Sequence, residues 1–294
     1  MLRNIDKIGF SVSDSERPVN RSDAVRWLLD HPRYEVVPLP GVREHVLDHL
    51  ETGSTVPVTS APARGVEPTI AVAETLAADG YNAVPHLAAR SVRGEVHCKE
   101  ILDRLAEAGV REVFVVGGDN PEPAGPYESG EQLLTTIHRL GHSFADIGVP
   151  AYPEGHPLLD DETLWRSLQA KQHDATYLVT QMCFDAKAIG RWVAEARTRG
   201  VSLPVLVGIP GVVRRRKLAR MSVKIGVGQS ARFLRKQSSA IWRLLRPGGY
   251  QPTSLVRDLA RLPVVGADIR SLHLYTFNQV ENTATWVRTL AGQR

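Results

Sequence analysis

The sequence predicts an α/β chain folded as a (β/α)8 TIM barrel, with an N-terminal extension and a helical insertion before the last strand. Three observations predict it. From Tyr34 onward, short apolar runs alternate with amphipathic stretches of helical period, and eight such pairs follow one another. The runs are apolar at nearly every position, the pattern of strands buried on both faces in a parallel sheet. The regular spacing is interrupted once, between the seventh and eighth strands, where extra helical sequence surrounds Pro247-Gly248-Gly249.

Residues 1–33 read as the extension, with a helix through Arg21–Asp30 ended by Pro32, and residues 34–294 as one barrel domain. Tyr34–Pro38 is the first strand, followed by a helix over Val42–Glu51. The next units are Thr55–Ser60 with Glu67–Asp79, Asn82–Leu87 with Gly94–Ala108, and Glu112–Gly117 with Ser129–Leu140. Gly109 and Gly200 sit where helix C-caps are expected. Then come Asp146–Tyr152 with Asp161–His173, Thr176–Cys183 with Ala186–Arg199, and Pro204–Ile209 with a basic helix over Val213–Met221. Ser271–Phe277 is the eighth strand and Val280–Ala291 the last helix.

Of 294 residues, 43% are hydrophobic and 23% charged, ordinary for a globular chain in water. No apolar run approaches the roughly 20 residues that span a bilayer, and the N-terminus lacks a signal-peptide core, so a cytoplasmic location and no membrane partner are expected. Cys98 and Cys183 are too few for a disulfide framework. The net charge of +4 is concentrated in Arg214–Lys236. That segment would suit a polyanion or a solvated helix face, and without a zinc-finger or RNP pattern no nucleic-acid partner is expected. A monomer or small homo-oligomer without a C-terminal regulatory domain is expected.

In a parallel barrel, ligands gather at the C-terminal ends of the strands. Those ends carry Glu35, Thr59, His86, Asp119, Tyr152 with Glu154 and His156, Gln181, and Tyr275 with Asn278. Glu35 is a carboxyl within an apolar strand, where burial would keep it protonated near neutrality, as a general acid requires. His86 follows Pro85 and is as good a packing residue as a catalytic one. Gln181 offers a donor and an acceptor together, suited to a heterocycle edge or to a core hydrogen bond. Val116-Gly117-Gly118-Asp119-Asn120-Pro121 brings a carboxylate past a strand end on glycines that admit close approach, and it is equally good turn chemistry. Glu154, His156 and Asp160 match no standard metal spacing, so no metal is expected. Gly226-Val227-Gly228 lacks the strand and βαβ frame of a dinucleotide fingerprint.

The ordered set Tyr34-Glu35-Val36-Val37-Pro38, Val84-Pro85-His86-Leu87, Gly118-Asp119-Asn120-Pro121, Ala151-Tyr152-Pro153-Glu154-Gly155-His156-Pro157, Thr180-Gln181-Met182-Cys183-Phe184-Asp185, Gly208-Ile209-Pro210 and His273-Leu274-Tyr275-Thr276-Phe277-Asn278 resembles the methylenetetrahydrofolate reductase family from Tyr34 onward. The resemblance implies a barrel that reduces 5,10-methylenetetrahydrofolate to 5-methyltetrahydrofolate, with hydride normally passing from NAD(P)H through bound FAD. By resemblance, Glu35 is the acid that opens the methylene bridge, and Asp119 contacts the pterin and tunes the cationic intermediate. Gln181 matches a pterin-binding amide with Phe184 beside it, and Tyr275 and Asn278 fall on the folate side. Thr59, His86, Tyr152 and His156 match flavin-lining positions, with Gly118 on the same cofactor side.

Most departures from the family pattern concern the flavin. Gly117 or Gly118 stands where typical members have Arg, and Leu164 and Ala170 stand where contacts to the flavin phosphate and ribityl chain are expected. Near the last strand Gln279 stands where typical members place an Arg, so folate-tail binding is expected to differ as well. Each lost charge-assisted bond forfeits about 1.5–3 kcal/mol. The expectation is direct hydride transfer from NADH, or NADPH, to folate, with FAD weak or absent. The alternatives are a conventional FAD-dependent reductase and a non-catalytic folate- or nucleotide-binding paralogue. An aldolase is disfavoured because no lysine lies at a strand end.

Overall fold

The computed structural model describes residues 18, 20–60, 64–156, 159–214 and 250–292. Eight parallel strands run in the order β1-β8-β7-β6-β5-β4-β3-β2. They are β1 (Arg33–Glu35), β2 (Thr55–Val58), β3 (Asn82–Ala88), β4 (Glu112–Val116), β5 (Asp146–Ala151), β6 (Tyr177–Thr180), β7 (Val205–Pro210) and β8 (Ile269–Tyr275). A bridge between Val36 and Val58 closes the ring: the Val36 N–H donates to Pro57 O at 2.8 Å and the Thr59 N–H to Val36 O at 2.9 Å.

Helices α1 (Arg21–Leu29), α2 (Val42–His49), α3 (Glu67–Ala78), α4 (Glu95–Glu107), α5 (Gly130–Leu140), α6 (Asp161–Lys171), α7 (Ala186–Thr198), α8 (Thr253–Leu259) and α9 (Val280–Ala291) accompany them. Asn20 caps α1, its Oδ1 accepting from the N–H groups of Ser22 and Asp23 at 2.9 and 3.0 Å. The Trp27 indole then ties this helix to Ile269 O of β8 at 3.3 Å. Among the described residues, no helix is long and apolar enough to cross a membrane.

Strand alternation sorts side chains into two cores. Val36, Val56, Val113, Leu178, Val207 and Leu274 face outward onto Ile70, Leu105, Ile137 and Ile189 of the helices. Val84, Phe114, Tyr177, Val179 and Leu206 fill the barrel itself. Beneath them the first residues of three strands meet: Arg33 of β1 pairs with Glu112 of β4 and donates to the hydroxyl of Tyr177 of β6 at 3.1 Å. All three are buried.

Several strands end earlier than the sequence predicts. The sixth stops at Thr180 because Asp185 turns the chain to cap α7, accepting from the N–H of Lys187 at 2.8 Å. The eighth stops at Tyr275 because Phe277 and Asn278 take left-handed conformations, φ 50° and 53°. Val213, read as a helix start, instead exchanges backbone hydrogen bonds with Tyr250 at 3.1 and 3.0 Å. The rest of the predicted basic helix, the basic segment beyond Arg214 and the Gly226 motif lie outside the described residues.

Candidate active site

Glu35 is the last residue of β1, and its carboxyl points into the barrel mouth with a side chain only 12% exposed. Oε2 lies 2.9 Å from Nε2 of His273 on β8, the strand next to β1, and 3.8 Å from Nε2 of His86 on β3. The first distance is a hydrogen bond and the second is beyond one. Burial pushes the Glu35 carboxyl up to about 7, with the His86 charge opposing the rise. Burial also pushes His86 down to about 4. His273 falls to about 3 through burial, reinforced by the Arg33 cation beneath it. Near neutrality, then, Glu35 is divided between acid and carboxylate, and its acid form donates to Nε2 of a neutral imidazole. His86 packs its ring on Phe114, centroids 4.7 Å apart.

Tyr275, the last residue of β8, donates its hydroxyl to Thr180 O at 3.3 Å, reaching across β7. Gly208 makes that reach possible: a Cβ there would stand 2.1 Å from Thr180 O and 2.9 Å from the Tyr275 ring. Gln181 begins just past β6, half-buried, and its backbone N–H donates to Ala151 O at 2.7 Å. No hydrogen bond of its side-chain amide is formed among the described residues. Phe184 is buried with Met182, Val213, Tyr250, Tyr275 and Phe277 as an apolar wall. Asn278 spends its amide on the chain just past β1, accepting from the Val37 N–H at 2.7 Å and donating to Val37 O at 2.9 Å. It therefore frames the mouth through Val37.

Asp119 is exposed on the loop after β4. Gly118 precedes it with φ +91°, and a Cβ there would meet Ala88 Cβ at 3.1 Å. Arg90 straps this loop, donating to the carbonyls of Asn120 and Pro121, each at 2.6 Å. The Asp119 charge adds to burial in pushing the Tyr152 phenol up to about 12, so the ends of β4 and β5 share one electrostatic environment. Tyr152 meets the His156 ring edge-on, centroids 5.0 Å apart. Thr59 contributes its backbone to barrel closure, and its carbonyl accepts from Thr69 Oγ1 at 3.0 Å. Glu154 accepts from the Phe184 N–H at 3.3 Å, and Asp160 caps α6 through Thr163.

The sequence assigned no site role to His273, Gly208 or Arg90, although His273 and Gly208 stand within the matched motifs. His273 alternates with leucines in Ser271-Leu272-His273-Leu274, an inward position that period-2 reading marks. Its partner Glu35, 238 residues away, follows only from closure of the barrel.

A closed parallel barrel with a buried carboxyl–imidazole pair at the C-terminal mouth defines the class: a (β/α)8 barrel equipped for proton transfer. The family model described as Methylenetetrahydrofolate reductase matches residues 47–291, and the chain belongs to that family. Methylenetetrahydrofolate reductase 2 of Saccharomyces cerevisiae is 24% identical over 197 residues, covering 61% of this chain and 32% of the yeast protein. Methylenetetrahydrofolate reductase 1 of Schizosaccharomyces pombe is 25% identical over 192 residues, 60% of this chain and 30% of its own length. The chain thus spans about a third of the length of these curated relatives. Tryptophan synthase subunit alpha from Legionella pneumophila superposes over 94% of this chain and 100% of its own with a TM-score of 0.50 and 10% identity, a likeness of fold alone.

Proposed function

We propose that this chain reduces 5,10-methylenetetrahydrofolate to 5-methyltetrahydrofolate with NADH or NADPH, the hydride passing directly to the folate. The observation that carries the reading is Glu35, a buried carboxyl raised to about 7 by burial and hydrogen-bonded to a neutral His273 at 2.9 Å. Ring opening of the substrate needs such an acid. Glu35 gives its proton to N10, the bond from N10 to the methylene carbon breaks, and an iminium cation is left at N5. Asp119 stabilises that cation. The reduced nicotinamide, when bound, supplies the hydride that completes the methyl group. Glu35 then regains a proton from solvent, and His273 serves either state, accepting from the acid or donating Nε2–H to the carboxylate.

The other strand-end residues divide by side. Gln181, its amide unspent within the described chain, holds the pterin edge, with Phe184 and Tyr275 as the wall and Asn278 framing it. Thr59, His86, Gly118, Tyr152 and His156 line the nicotinamide side. Relatives named for NADH in Oryza sativa and for NADPH in Caenorhabditis elegans support a nicotinamide donor without choosing between them.

The side chains of α6 support the flavin-free reading. Leu164 is half-buried and Ala170 exposed, and neither offers a donor. Trp165 is spent in a stack on Trp192 at 5.2 Å, and Lys171 is buried, its ammonium pushed down to about 8 by burial. These residues do not fit the phosphates and ribityl chain of FAD. The test is a visible spectrum of freshly purified protein, followed by anaerobic NADH oxidation with 5,10-methylenetetrahydrofolate, with and without FAD, in EDTA. A colourless protein that turns over without FAD is the expected result. A flavin spectrum or strict FAD dependence would establish the conventional reductase, and no turnover in either condition a binding paralogue.

Asp119→Asn is expected to lower kcat about tenfold. The carboxylate is exposed, and a charge pair at a high effective dielectric is worth about 1–4 kcal/mol at contact distance. Steady-state kinetics showing an unchanged kcat would remove Asp119 from the cation's environment.

A further inference from the structure

Glu35, His86 and His273 bring three potential metal ligands from β1, β3 and β8 to one point in the barrel mouth. One carboxylate oxygen and two imidazole nitrogens all lie within 4.8 Å of one another. Two of the separations are 2.9 and 3.8 Å. Donors around a tetrahedral metal with bonds of about 2.0–2.2 Å stand roughly 3.3–3.5 Å apart, so these two edges bracket the required value. The third, between the two imidazoles, lies within 4.8 Å and must shorten for a tetrahedral set.

A second observation points the same way. Nε2 of His86 is buried and makes no hydrogen bond among the described residues, on a side chain only 7% exposed and directed at the Glu35 carboxyl. Leaving such a polar atom unmet is costly, and a coordinated cation would satisfy it. Two imidazoles and one carboxylate suit zinc and neighbouring divalent transition metals, and suit Mg2+ and Ca2+ poorly. Nothing in the spacing of residues 35, 86 and 273 announces the trio, and Glu154, His156 and Asp160, the group weighed from the sequence, are not part of it.

We propose that Glu35, His86 and His273 form a site for Zn2+ or a similar divalent transition metal, and that its occupancy switches the protein off. The binding stands on the geometry alone. The switch rests on the reductase reading, because a carboxylate coordinated to a dication has no proton to give to N10. Three protein ligands leave a fourth position for water, so the metal need not find a further side chain.

The test uses the full chain stripped with EDTA and then freed of chelator. Calorimetric titration with ZnCl2 is expected to give one Zn2+ per chain, and MgCl2 no saturable heat. Zinc K-edge absorption of the 1:1 complex is expected to show two imidazoles and an oxygen shell at about 2.0–2.1 Å. His86→Gln and His273→Gln should each weaken binding at least tenfold. Should either variant fail to fold, the absorption spectrum of the unaltered chain decides. Absence of 1:1 binding, or a zinc environment without two imidazoles, overturns the site. NADH oxidation should fall in step with zinc occupancy and return on adding EDTA. Full turnover by the zinc-loaded protein overturns the switch while leaving the site. Absence of turnover in EDTA alone overturns the reductase reading and the switch with it, and the binding measurements stand apart from both.

Discussion

Glu35→Gln is expected to lower kcat by about 10²- to 10⁴-fold, the range for removing a positioned general acid. Glutamine keeps the shape and can still donate from its amide to Nε2 of His273, so the loss falls on proton transfer and not on folding. The pH profile separates the two causes. Burial lifts the Glu35 carboxyl to about 7, so the proton-bearing, active form is present below that pH and is lost as pH rises through it. Wild-type kcat measured in EDTA should therefore fall about tenfold per unit well above pH 7. Because His86 and His273 stay neutral down to about 4 and 3, they add no limb to the profile between pH 6 and 9. The residual activity of Glu35→Gln should be flat across that range. A variant that keeps the wild-type slope would move the acid to another group, and an unchanged kcat would leave Glu35 without a role in ring opening.

The barrel was legible because its strands are nearly all apolar and its helices amphipathic, two periods that do not imitate each other. Strand ends were less legible, since apolar character outlasts pairing. Met182-Cys183-Phe184 continues the apolar character after β6 while the backbone already turns toward the Asp185 cap. The site divides in the same way. Glu35 stood out as a charge inside an apolar strand, a local signal. His273 did not, because a histidine between leucines gains meaning only when β8 comes to lie beside β1. Gly208 looked like an ordinary strand glycine, and its reason is a Tyr275 side chain that must pass over it. Asn278 shows the converse: a polar strand-end residue whose amide is committed to Val37, so that it shapes the mouth through the backbone. What the sequence could not supply is the register of closure, which decides that Glu35 of β1 meets β8 at the level of His273 and Tyr275.

Glu112→Ala is expected to destabilise the fold by about 3–5 kcal/mol, because it removes the carboxylate paired with the Arg33 cation inside the barrel. Arg33 and Glu112 are each 8% exposed, so water cannot replace the lost partner. Tyr177, whose hydroxyl accepts from Arg33 at 3.1 Å, stays neutral through burial and offers only a dipole in exchange for a charge. Urea denaturation should show the loss as a lower midpoint with an unchanged slope. The double replacement Arg33→Met with Glu112→Leu should recover most of it, since a well-packed apolar pair avoids the cost of burying two charges. The pair also bears on the chemistry above it. The Arg33 cation helps hold His273 neutral, and the Glu112 carboxylate opposes that effect. A folded double variant would remove both charges, leaving burial to keep His273 the neutral acceptor of the Glu35 proton. Its kcat should therefore stay within about threefold of wild type. A double variant as unstable as Glu112→Ala would show that the ion pair supplies net stability, and a folded one with a large loss of kcat would show that the floor charges tune the acid directly.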